Sequence, residues 1–184
     1  IHAGKQRNVA ADFRVKKYRL DFSMGLNLTG RAKVYVDRSE LKSYRFTLYH
    51  GYKVKQVTDQ TGAALDFRRE YDYVTVTRGG AAVEYLCLEY TGKSPKYYSS
   101  YAGVCLPANF AYYPIPGYLE LFMDSYYGFI DCSLPYDTAF DVHCSGRKQM
   151  YCNLAARGDN HFAGNARSIA LLSGYYDTLK LNNT

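Results

Sequence analysis

The chain has 184 residues, 47% of them apolar and 22% charged. That is enough to bury a core in a single domain and argues against intrinsic disorder. The net charge is +6, but residues 1–55 carry thirteen Lys and Arg against four Asp and Glu, while residues 56–184 carry ten against thirteen. A basic half can serve an anionic partner. No nucleic-acid fold signature accompanies it, and Lys17, Arg19, Arg31 and Lys33 alternate with apolar residues as they would on the wet faces of strands, so no nucleic-acid partner is expected. No apolar run reaches the ~20 residues that span a bilayer.

Residues 1–14 read as a polar lead-in. From Val15 to Leu28 the pattern has a period of two, Tyr18, Leu20, Phe22 and Met24 against Lys17, Arg19, Asp21 and Ser23, the mark of a strand with one buried face. Thr29-Gly30 is expected to turn the chain into a second strand bearing Ala32, Val34 and Val36. Tyr44, Phe46 and Leu48 mark a third strand and Tyr52 to Val57 a fourth. Asp59-Gln60-Thr61-Gly62 is a turn by composition. Leu65 and Phe67 start a short strand, and further strands follow at Tyr73–Thr77 and Glu84–Tyr90, with Arg78-Gly79-Gly80 between these two.

Residues 91–136 differ, with nine of the 21 tyrosines and all five prolines. Proline removes a ladder donor, so a long ordered insertion with one edge strand near Tyr118–Met123 is expected. Strands resume at Thr138–Cys144, Met150–Leu154 and Ser168–Leu172. No segment of ten residues has helical periodicity. The whole predicts an all-β protein, an antiparallel β-sandwich occupying residues 15–184 as one domain with the Tyr/Pro-rich insertion at 91–136.

Few residues offer chemistry. Cys132, His143, Cys144, Cys152 and His161 fall close together, but structural zinc sites bring paired ligands at short spacing, and none exists here. No metal and no cofactor is expected. His143 and Cys144 should point to opposite faces of one strand. A hairpin centred on Arg147 would set Cys144 opposite Met150 and Cys152 opposite Val142, leaving the two sulfurs diagonal and unbonded, as free buried thiols. No nucleophile has a base in sequence reach and no Gly-x-Ser-x-Gly elbow occurs, so no catalytic residue can be named. Tyr97, Tyr98, Tyr101, Tyr112 and Tyr113 are the candidate binding residues. Tyrosine buries area at low entropic cost, and these rings would either form a docking platform or cap one end of the sandwich.

The order of pieces resembles a known family. The first long strand leads to Ser43-Tyr44-Arg45-Phe46-Thr47-Leu48-Tyr49-His50-Gly51-Tyr52-Lys53-Val54. Then come Val57-Thr58-Asp59, Gly62, Leu65-Asp66-Phe67, Tyr73-Val74-Thr75-Val76 and Glu89-Tyr90-Thr91-Gly92. This series resembles the N-terminal β-domain of the aminopeptidase N (gluzincin) family of zinc peptidases, a saddle-shaped sandwich that precedes a thermolysin-like catalytic domain. Leu106-Pro107-Ala108-Asn109-Phe110-Ala111-Tyr112-Tyr113-Pro114, Tyr151-Cys152-Asn153-Leu154 and Ser173-Gly174-Tyr175-Tyr176 are similar to peptidase-like segments fused to bacterial ABC-type permeases.

The resemblance implies a non-catalytic scaffold bracing a downstream domain of the same polypeptide. In a permease fusion it would lie at the extracytoplasmic face of a bacterial membrane, with the cytoplasm as the alternative. The His-Glu-x-x-His zinc signature does not occur among His2, His50, His143 and His161, and the family places it in the following domain. Active members lend a Glu or Gln from the stretch matching Gly103 to Gly117. Asn109 is the nearest candidate here. The competing reading is a free-standing module that binds sugars or peptides through exposed tyrosines.

Overall fold

The computed structural model describes residues 8–25, 27–96, 98–100, 102–121, 131–146 and 148–175. Among them there are fourteen strands and no helix. The first seven are β1 (Val15–Met24), β2 (Leu28–Val36), β3 (Ser43–Thr47), β4 (Tyr52–Thr58), β5 (Phe67–Glu70), β6 (Tyr73–Thr77) and β7 (Tyr85–Gly92). The rest are β8 (Gly103–Leu106), β9 (Ile115–Pro116), β10 (Thr138–Ser145), β11 (Gln149–Cys152), β12 (Ala155–Gly158), β13 (His161–Ala166) and β14 (Leu171–Gly174).

They form a seven-stranded sheet in the order β12-β13-β10-β1-β2-β7-β4, a four-stranded sheet β5-β6-β3-β9 and a three-stranded sheet β11-β14-β8. Period-two sequences build the large sheet. Tyr18, Leu20 and Phe22 point inward from β1, Ala32 and Val34 from β2, and Leu86, Leu88 and Tyr90 from β7. Tyr44 and Phe46 of β3 and Val74 and Val76 of β6 meet them in one core, with Leu106 and Leu171 from the third sheet. The outer face of the large sheet carries ion pairs of Arg31 with Glu89 and of Arg19 and Lys17 with Asp141.

Several local expectations are corrected. Thr29-Gly30 is no turn: both lie inside β2, and Gly30 is required because any Cβ there would strike the Tyr90 ring of neighbouring β7. The chain reverses instead around Gly25–Asn27, where Gly25 N–H donates to the Asn27 carbonyl. The sandwich is not wholly antiparallel, because β1 pairs with β10 in parallel. The hairpin centred on Arg147 does not form. β10 has both edges occupied, by β1 and β13, so β11 leaves to pair with β14 in another sheet. No disulfide joins any of the five cysteines, and Cys144 and Cys152 are half-buried, not buried.

β12 and β13 were not expected, because Phe162 is their one large apolar residue. The edge strand expected at Tyr118–Met123 falls earlier, at Ile115–Pro116. There proline tolerates the outer edge of a sheet. Tyr118 instead bridges Val9 through two backbone hydrogen bonds of 2.8 Å. Within the stretch read as a polar lead-in, Phe13 is buried edge-on against Tyr44 and Phe46.

Candidate functional site

Between β8 and β9 the chain runs through the core without a ladder partner on either side. Phe110 N–H closes a turn onto the Pro107 carbonyl, and Asn109 sits half-buried within it. Buried carbonyls in such a segment need donors, because water cannot reach them. Tyrosines supply them. Tyr18 Oη donates to Pro114 O at 2.9 Å, and Tyr90 Oη donates to Tyr112 O at 2.9 Å. Tyr112 Oη reaches across to Ile169 O at 2.7 Å. Burial pushes all three phenols far above the ordinary tyrosine value, so they remain protonated donors.

Tyr112 and Tyr113 are therefore core residues, not members of an exposed aromatic platform. Tyr113 packs edge-on against both Tyr18 and Tyr112. Their adjacency gave no sign of this in the sequence, because a buried tyrosine needs a partner that lies far along the chain. Tyr98 is half-buried against Phe110, with ring centroids 4.8 Å apart. Tyr97 and Tyr101 lie outside the described residues. Asn109 and Tyr98 thus share one loop cluster with Phe110, and Tyr112 and Tyr113 lie beneath the surface.

Two further sites contain histidine. The first lies at the β5–β6 hairpin, where Tyr71 adopts φ 53° and turns Asp72 inward. Asp72 Oδ1 accepts His50 N–H at 2.6 Å and pairs with His50 Nδ1 at 2.9 Å, while the Tyr71 ring stacks on the imidazole. Arg69 donates to the carbonyls of Leu48, Tyr49, Tyr52 and Tyr71, fastening the β3–β4 corner. Burial raises the Asp72 carboxyl even though His50 and Arg69 pull it the other way. Burial likewise lowers Arg69. This cluster is a structural brace.

The second lies on the outer face of the large sheet. The β10–β13 register sets His143 opposite His161, their rings stacked at 4.0 Å. Asp141 Oδ1 is 2.9 Å from His161 Nε2 and 3.3 Å from His143 Nε2. Burial opposes ionisation of Asp141. The His161 hydrogen bond and the charges of His143, Arg19 and Lys17 outweigh it and hold the carboxyl below its ordinary value. Sequence reasoning grouped these two histidines with Cys132, Cys144 and Cys152. The structure joins them to Asp141 instead and turns Cys144 toward the core. Burial pushes the Cys132 and Cys144 thiols up to about 12, far from thiolate chemistry at neutral pH.

No protein family described by sequence matches the chain, and no curated protein does. Solved structures do match. An M1 zinc metallopeptidase from Deinococcus radiodurans, an E323A mutant bound to a Tyr-Ser-Ala substrate, superposes with a TM-score of 0.57 and 15% identity over 90% of this chain. Yeast LTA4 hydrolase in complex with bestatin gives 0.60 and 11% identity over 95%. The fold is that of an aminopeptidase N-terminal domain. The chain spans 43% of the first structure and 31% of the second. At these identities the likeness concerns the fold.

Proposed function

We propose that this chain is the non-catalytic N-terminal scaffold of a zinc-aminopeptidase-like protein, bracing a catalytic-type domain that follows it in the same polypeptide. The supporting observation is the fold match over nearly the whole chain to less than half of two larger proteins, one of them a zinc metallopeptidase. The sequence adds to it, since its four histidines include no His-Glu-x-x-His pair. The half-buried Tyr98 and Asn109, which lie beside the buried Phe110, form the surface we assign to that contact. Asn109 belongs to the Gly103–Gly117 stretch which, by the family resemblance, reaches the neighbouring cleft. Asn109 is shorter than the Glu or Gln of active relatives, so its grip on a substrate amine would be weaker.

The finer reading is a bacterial permease fusion displayed outside the cytoplasmic membrane. It rests on the Leu106–Pro114, Tyr151–Leu154 and Ser173–Tyr176 runs. Reading and expressing the coding sequence beyond Thr184 tests both levels. The proposal expects a zinc-peptidase-like helix followed by membrane spans, and protection of the Asn109 loop from proteolysis in the longer protein. A stop codon directly after Thr184 would overturn the scaffold role. So would zinc-dependent release of amino acids from peptides by the isolated chain.

A further inference from the structure

The Asp141, His143 and His161 cluster lies outside the loop assigned to the scaffold contact. We propose that these three side chains bind one divalent transition-metal ion of the zinc and copper class on the outer face of the seven-stranded sheet. Asp141 and His143 are two residues apart on β10 and so share a face. His161 stands directly opposite His143 on β13. All three donors therefore project from paired strands, not from loops, and their relative positions are fixed by backbone ladders. Their ligand atoms lie within 4.8 Å of one another. Metal bonds of ~2.0–2.2 Å in a tetrahedral shell separate ligand atoms by roughly 3.3–3.6 Å. Both histidine nitrogens already sit 2.9 and 3.3 Å from Asp141 Oδ1, so small rotations of the imidazoles would open room for an ion between them.

The chemistry of the set selects the ion. Two imidazoles and one carboxylate suit zinc, copper or nickel, whereas calcium and magnesium require shells dominated by oxygen. The imidazoles are 32% and 48% exposed, which leaves an entry path and room for water to complete the shell. Arg19 and Lys17 approach the other carboxylate oxygen, Oδ2, at 3.3 and 3.9 Å. They orient Asp141 with Oδ1 facing the histidines, as outer partners do at metal sites, while their charge moderates the affinity.

The test titrates the full chain with zinc chloride by calorimetry and follows the histidine ring signals by NMR. Expected is one ion per chain, with the His143 and His161 rings shifting and the His50 ring unmoved. His143→Ala and His161→Ala should each weaken binding about tenfold or more, at least what losing an outer partner costs at a metal site. His50→Ala and Cys105→Ser should change it less than about twofold, and equimolar calcium should not compete. The ring signals of the unsubstituted protein decide the matter even if a variant folds poorly. Zinc uptake that moves the His2 or His50 rings instead, survives both histidine changes, or is absent at millimolar zinc would overturn the assignment.

Discussion

Replacing Tyr112 by Phe removes one oxygen atom from the middle of the core and nothing else. The ring stays packed against Phe110 and Tyr113, but the Ile169 carbonyl loses the donor that sits 2.7 Å away. A buried acceptor left unsatisfied costs about 1–3 kcal/mol. In a domain of this size each kcal/mol moves the melting temperature by about 2–4 °C. Tyr112→Phe should therefore lower Tm by roughly 2–12 °C, measured by calorimetry or by circular dichroism at a fixed scan rate. Tyr71→Phe is the control. Its ring is 59% exposed, and the change should stay within about 0.5 kcal/mol. If Tyr112→Phe melts within ~1 °C of the parent protein, the tyrosines are not serving as donors to the irregular segment.

Gly30→Ala should cost about 1–3 kcal/mol by overpacking, because the Tyr90 ring it would strike is held by its own bond to the Tyr112 carbonyl; denaturant melts at unchanged m-value check this. The Asp59 carboxyl is held below the ordinary aspartate range, chiefly by the Thr61 hydroxyl and then by the Thr61, Ala63 and Gly62 amides. Being depressed in the folded state, it contributes stability above the ordinary aspartate value and loses that contribution as pH falls through the folded value. Carbon-detected NMR should place its midpoint below that of a model peptide, and Asp59→Asn should flatten that part of the acid melt. Cys105 is the exposed cysteine, so a thiol reagent should label one site quickly in the native protein and Cys105→Ser should abolish that phase. Fast labelling of Cys132 would contradict its burial.

The half of the fold that depends on neighbours in sequence was legible. Alternation located β1 through β7 to within a few residues, and the Asp59–Gly62 turn was read from its side chains, with Gly62 at φ 88°. Features set by distant partners were not. Gly30 looks like a turn residue until Tyr90 is laid over it. Small and polar β13 is a strand because β10 offers it an edge, and β12 because β13 does, not because of their own propensity. The same gap hid the metal-ligand set. Asp-x-His on a strand is visible locally at Asp141 and His143, but His161 joins them only through the β10–β13 register. Tyrosine abundance suggests a surface platform in the sequence, whereas the hydroxyls of Tyr18, Tyr90 and Tyr112 serve the interior.

The parallel seam between β1 and β10 sets a timetable for biosynthesis. Thr138 Oγ1 closes onto the Val15 carbonyl across 123 positions of chain. At translation speeds of about 5–20 residues per second, the first strand waits roughly 6–25 s on the ribosome with one bare edge. During that interval it can recruit any extended peptide that passes, so nascent chains of this protein should depend on holding chaperones until the β10 segment emerges.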